Sequence, residues 1–207
     1  MNISLYDASV PALTRMLENL GRILQKAAAF ANQESANQEG ASQEWISPES
    51  LLERRLYPDM FPLSRQVEIV ISGAKGCAAR LGGRLGPKDE TPEFAVFNRG
   101  DEKSFGDRLT SFEPLQTLIV DAIAYLKSFS RDEIDAAPGS ISVAKPGETR
   151  IFETRAFVLD CVLPNLYFHI SIVYALLRSA GIALGKQDFE GAPAYALIID
   201  APHSPHG

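Results

Sequence analysis

A chain of 207 residues with 45% hydrophobic residues, 22% charged residues and a net charge of −6 has the composition of an ordinary globular protein with one sizeable core. The acidic balance, with a pI near 5.1, excludes the clustered Lys and Arg of a nucleic-acid surface and fits a solvated exterior. Met1 to Val10 lack the regions of a secretory signal, and no uninterrupted apolar run reaches the length of a membrane span, so the expectation is a cytoplasmic, single-domain chain over residues 1–207. Cys77 and Cys161 read as reduced core thiols.

In chain order, Val10, Leu13, Met16, Leu17, Leu20, Ile23, Leu24, Ala27 and Ala28 recur at helical spacing, with Asp7 or Ser9 as cap and Pro11 in the first turn. Imperfect pentapeptides then start at Ala31, Ala36 and Ala41, and their period matches neither helix nor strand, so residues 31–46 read as a mobile polar insertion. Ser47 and Pro48 open a short helix through Leu51, Leu52 and Leu56 that stops at Tyr57, the residue before Pro58. Asp59 then caps a second long helix carrying Leu63, Val67, Val70, Ile71, Ala74, Cys77, Ala78 and Leu81 to Gly82 and Gly83, and the internal Gly73 and Gly76 suggest close helix packing.

Residues 84–109 shift to Gly, Pro and charge with isolated Phe94, Phe97 and Phe105, a long connection ordered in part. Thr110 and Glu113 form a capping-box pattern before Leu115, Leu118, Ile119, Ala122, Tyr125, Leu126 and Phe129, which gives a third helix. Two short alternating runs, Ile141 to Val143 and Arg150 to Phe152, flank Pro146 and Gly147 as a hairpin. Thr154 caps a last helix that runs to Gly181 with a kink at Pro164, because an interior proline removes a backbone hydrogen bond. The amphipathic helices require a common core, so the fold class is all-α, a four-helix bundle with a short β-hairpin between the third and fourth long helices. In the extension 182–207, Ala194 to Ile199 form an apolar patch that is packed on the bundle or used in self-association.

Three stretches, Arg55 to Val67, Pro164 to His169 and Leu176 to Gly181, resemble a bacterial family of unknown function within the DinB/YfiT-like superfamily of four-helix proteins, over most of the chain. That resemblance implies a divalent metal held by three histidines, one on the second helix and two spaced four apart on the last. The positions fall here on Gln66, Asn165 and His169, so two of the three imidazoles are amides. An amide oxygen is a weak ligand for Zn or Ni, and Cys161, a turn before Asn165, is set off register by Pro164. His203 and His206 read as solvated tail residues.

Two function classes follow. The preferred one is a metal-free bundle that binds a small molecule or a partner through a polar pocket of His169, Asn165 and Gln66, with Asp59, Arg65 and Tyr174 at its edge. The alternative, implied by the resemblance, is a transferase or isomerase that uses a metal and a low-molecular-weight thiol, with His169 as Zn or Ni ligand or as base. No nucleic-acid or membrane partner is expected. A homodimer is, because superfamily members often pair through bundle faces and the apolar patch supplies a motive.

Overall fold

The computed structural model describes residues 3–36, 46–97, 100–145 and 147–196. A short helix α1, Leu5–Ala8, is capped by the Ser4 hydroxyl, which accepts from the Asp7 amide, and leads into the long α2, Val10–Ala36. Ser9 stands directly before α2 and its carbonyl accepts from the Leu13 amide at 2.9 Å, but no side-chain cap forms at Asp7 or Ser9. The Ser9 hydroxyl donates back to the Leu5 carbonyl, while the Asp7 carboxylate pairs with Arg131 at 2.7 Å, which lowers its pKa to about 2. Leu13, Leu17, Leu20, Ile23, Leu24, Ala27 and Ala31 of α2 are fully buried. Ala31 therefore belongs to the core and helix continues through Ala36, whereas the repeats from residue 37 to 45 lie outside the described residues.

Ser47 caps α3, Pro48–Leu52, as its sequence predicts. The helix ends before Tyr57, because Leu56 and Tyr57 are exposed and give further turns nothing to bury. The chain instead turns around Arg55, whose guanidinium donates to the Met60 carbonyl at 2.6 Å. Helix α4, Leu63–Leu81, starts at the N-cap Pro62 and not at Asp59, which is exposed. Proline disfavours helical backbone in the residue before it, so the helix cannot begin earlier. Gly83, at φ 67°, turns the chain out where the paired glycines predict the end.

Nearly all of α4 is buried, and part of its cover is the 84–109 connection. A Cβ at Gly73 would stand 2.5 Å from the Phe97 ring, and one at Gly76 would collide with the Phe94 carbonyl. Close packing at these glycines is thus correct, but the neighbour is a loop and not a helix. Arg80 fastens it, donating to the carbonyls of Phe94 at 2.8 Å and Asp89 at 3.2 Å. Helix α5, Glu113–Lys127, begins at the buried Phe112, so the capping box of Thr110 and Glu113 does not form. A capping box appears instead at Ser130 and Glu133 of α6, Arg131–Asp135, an element the sequence reading left out.

Strands β1, Ser140–Lys145, and β2, Glu148–Glu153, form the predicted antiparallel hairpin, with Val143 opposite Arg150 and Lys145 opposite Glu148. The cap of the next helix is Glu153, which accepts from the Ala156 amide, while the Thr154 hydroxyl bonds the Pro138 carbonyl. That helix runs unbroken from Thr154 to Ser179, as α7, Thr154–Ala156, then a π-helical segment, Phe157–Val162, then α8, Leu163–Ser179. The expected kink at Pro164 is replaced by this widened turn. Leu163 donates to the carbonyl of Val158, five residues back, and such a bulge makes room where a proline has no amide to give.

The fold is mostly helical, and among its described helices the most extensive packing joins α4 to α8, with α5 packed on α2 and α4. Leu166, Ile170, Val173 and Leu177 bury the inner face of α8. By length and composition Thr154–Ser179 could also cross a membrane, which the sequence reading missed because Asp160 and Arg155 interrupt the run. Ile182 and Leu184 return to the core, and α9, Lys186–Glu190, lies on α2, tied by Lys26 to Asp188 at 2.7 Å. Ala194 to Ala196 are exposed, so the described part of the terminal patch is not packed on the bundle, and residues 197–199, with His203 and His206, lie outside the described residues.

Candidate functional site

Helices α4 and α8 bring Gln66 and His169 together, as the sequence reading required. The Gln66 Oε1 lies 2.6 Å from His169 Nδ1, and the Gln66 Nε2 donates to the Phe61 carbonyl at 3.0 Å. The second bond fixes the amide's orientation, so Oε1 can only accept and Nδ1 must carry the proton. The lone pair is therefore on Nε2, which receives no hydrogen bond from the described residues. Burial pushes the imidazole's pKa down to about 4, because a charged ring would lose its hydration there.

An aromatic ring covers this pair. Phe97 stacks on His169 with ring centroids 5.7 Å apart and planes within 5°, and Phe168 meets the same imidazole edge-on at 5.2 Å. Phe97 holds φ 50°, a left-handed conformation that is uncommon for a bulky residue and needs support from its surroundings. Gly73 gives that support, since its missing side chain leaves the space the ring occupies. Sequence reasoning singled out Gly73 and the isolated aromatics of the connection separately, and nothing in the sequence joined them.

Asn165 does not join the pair. Its Nδ2 donates to the Cys161 carbonyl at 2.7 Å, on its own helix at the π segment. Its side chain also lines a separate cavity of about 110 Å³ between the helix, the hairpin and the connection, together with Cys161, Val96, Phe97, Val143, Phe152, Lys145 and Arg150. Phe97 thus belongs to both places and forms the partition between His169 and the cavity.

The remaining edge residues are scattered. Arg65 is buried, with its guanidinium on Glu68 at 2.8 Å, on the Gly106 carbonyl at 2.6 Å and over the Phe105 ring. It holds the connection in place. Asp59 is on the surface, and the Tyr174 ring stands edge-on to Phe189 while its hydroxyl reaches toward the Leu184 carbonyl at 3.5 Å. Lys145 and Arg150, hairpin residues as the sequence suggests, also line the cavity.

The family described as a domain of unknown function, DUF1993, matches residues 5–190. The chain belongs to the DUF1993 family. A crystal structure of a DinB family member protein from Shewanella denitrificans is similar to this DUF1993 chain at 31% identity and a TM-score of 0.69, over 94% of this chain and 96% of that one. The DinB-like bundle implied by the three sequence stretches is thereby shown. No curated protein matches the chain.

The divalent metal that the DinB resemblance implies does not fit the residues of this DUF1993 protein. His169 offers Nε2 alone, Gln66 Oε1 is engaged by the imidazole proton, and Asn165 turns its amide to the backbone of its own helix. Burial raises the pKa of the Cys161 thiol, which keeps it protonated and a poor ligand. Among the described residues no group of three or more His, Cys, Asp or Glu is close enough to hold a metal ion.

Proposed function

We propose that this DUF1993 protein is a metal-independent binder of small molecules and that its ligand enters the cavity beside Asn165, one wall of which is the Phe97 ring stacked on the His169–Gln66 pair. The observation that carries this reading is a partly open recess of about 110 Å³ lined by an amide, a thiol, two cationic residues and aromatic and aliphatic neighbours. Concave apolar sites with a few convergent polar groups are the usual form of a small-molecule site.

The thiol-dependent transferase reading is weaker on physical grounds. It asks His169 to activate a thiol, and an imidazole with a pKa near 4 is a poor base toward a group that ionises near 8.5. The test is elemental analysis of untagged protein purified without chelator, with thermal melts in Zn, Ni, Mn and EDTA. The binder reading expects less than stoichiometric metal and a melt indifferent to EDTA. Stoichiometric metal that is lost in His169→Ala would overturn it.

A cytoplasmic location and self-association are part of the same proposal. Burial of Leu166, Ile170, Val173 and Leu177 supports a soluble role for the last helix. Its outer side is less covered, with Leu159 44%, Tyr167 41% and Phe168 56% exposed, and this apolar strip supports a homodimer. Sedimentation at micromolar concentration should give a dimer that Tyr167→Lys with Phe168→Lys dissociates; a monomeric parent protein removes the idea.

A further inference from the structure

The hairpin's pleat decides what faces the cavity. In the observed register Ile141 opposes Phe152, Val143 opposes Arg150 and Lys145 opposes Glu148, and alternation puts all six on one face. That face runs from apolar at the root to charged at the turn, and Val143, Lys145, Arg150 and Phe152 all line the cavity. An inward charge can serve only to discourage edge pairing. Here Lys145 is largely covered and Arg150 stands half in solvent, and both line the cavity, which that purpose does not require.

Their charges are not balanced. The Glu148 Oε1 takes both Lys145 at 2.8 Å and Arg150 at 2.7 Å, and among the described residues neither cation has another acidic partner. One positive charge is left over at the mouth of the cavity. The Arg150 charge also favours the thiolate of Cys161 against its burial, which agrees with a guanidinium set over the cavity and not away from it. On the helix side of the cavity, Asn165 spends its Nδ2 on the Cys161 carbonyl, and its Oδ1 has no donor among the described residues.

These features ask for an anion that also carries a hydrogen-bond donor. The volume of about 110 Å³ corresponds to roughly four waters at ~30 Å³ each, which is the size of a two- or three-carbon acid. We propose that the cavity binds a short hydroxy- or aminocarboxylate, its carboxylate on the fork of Arg150 and on Lys145, and its hydroxyl or ammonium donating to Asn165 Oδ1. The inference rests on the small-molecule reading above and names its ligand class. The Glu148 carboxylate, half in solvent, gives way easily because an exposed ion pair is worth little, while a planar guanidinium holds an incoming carboxylate by two parallel bonds.

Calorimetry and thermal melts with sodium glycolate and sodium lactate, at ionic strength held constant with chloride, test the assignment. Saturable binding is expected, weakened about tenfold or more in Arg150→Gln, as the loss of a charge-assisted bond implies, and tightened in Glu148→Gln, which removes the competing carboxylate. Both positions are exposed, so neither variant should threaten folding. Binding that is absent, or equal in Arg150→Gln and the parent protein, overturns the proposal. Equal binding of neutral glycolamide overturns the anion class while leaving the small-molecule reading intact. A glycolate effect that requires added Zn or is removed by EDTA overturns the metal-independent reading instead.

Discussion

Gln66 and Asn165 stand at two of the three positions that the DinB resemblance implies for ligands, and each is an amide, yet they are used in opposite ways. Gln66 reaches across from α4 and locks the His169 tautomer, with its own orientation fixed by the Phe61 carbonyl. Asn165 stays within its helix, where it donates to the Cys161 carbonyl beside the π segment, and the residue also lines a cavity. The difference teaches that sharing an amide does not fix the role, since side-chain reach and the neighbouring backbone both enter. Gln66, the longer side chain, reaches a tertiary partner from regular helix, while Asn165 finds a carbonyl close by next to the π segment.

The largest expected effect on this contrast comes from Phe97, which separates the two places. Phe97→Ala should cost about 3 kcal/mol in chemical denaturation, as a large-to-small change in a packed site, and the imidazole pKa should rise from about 4 as water reaches His169. An NMR titration in which that pKa stays put would show that Phe97 is not what dries the ring.

Next is pH. His169 has a folded pKa near 4 against an ordinary 6.5, so between these values the unfolded chain binds more protons than the folded one. Stability contributed by the neutral ring is fully present above about pH 6.5 and falls as pH drops toward 4, by roughly 2–3 kcal/mol. Denaturation at several pH values should show this extra loss in the parent protein and not in His169→Gln. Parallel curves for the two would break the assignment.

The smallest effect belongs to Asn165. Its bond is local and neutral, so Asn165→Ala should lower stability by about 1 kcal/mol and leave the His169 titration unchanged. A shift of that titration comparable to the one in Phe97→Ala would mean that the two places are one site.

Much of this molecule can be read from its residues. The apolar period of α2, α4 and α8, the glycine stop after Leu81 and the hairpin around Gly147 follow from local stereochemistry, which acts over a few residues and leaves its mark in the sequence. The approach of Gln66 to His169 followed from the family resemblance, since both positions were carried over together. The starts of α4 and α5 were misplaced because Asp59 and Thr110 are good caps in isolation, whereas Pro62 and the buried Phe112 set the actual boundaries.

By itself, then, the sequence determined an all-helical frame with a hairpin, and put one imidazole and two amides on two of its long helices. Only the tertiary structure decided that Phe97 would cover the imidazole, that Gly73 would make room for it, and that Arg150 and Lys145 would look into a cavity beside Asn165. The physical reason is range. Helix and strand periods are written by neighbours in the chain, but the fit of a ring over a glycine, or of two cations over a cavity, depends on elements that meet only when the core has closed.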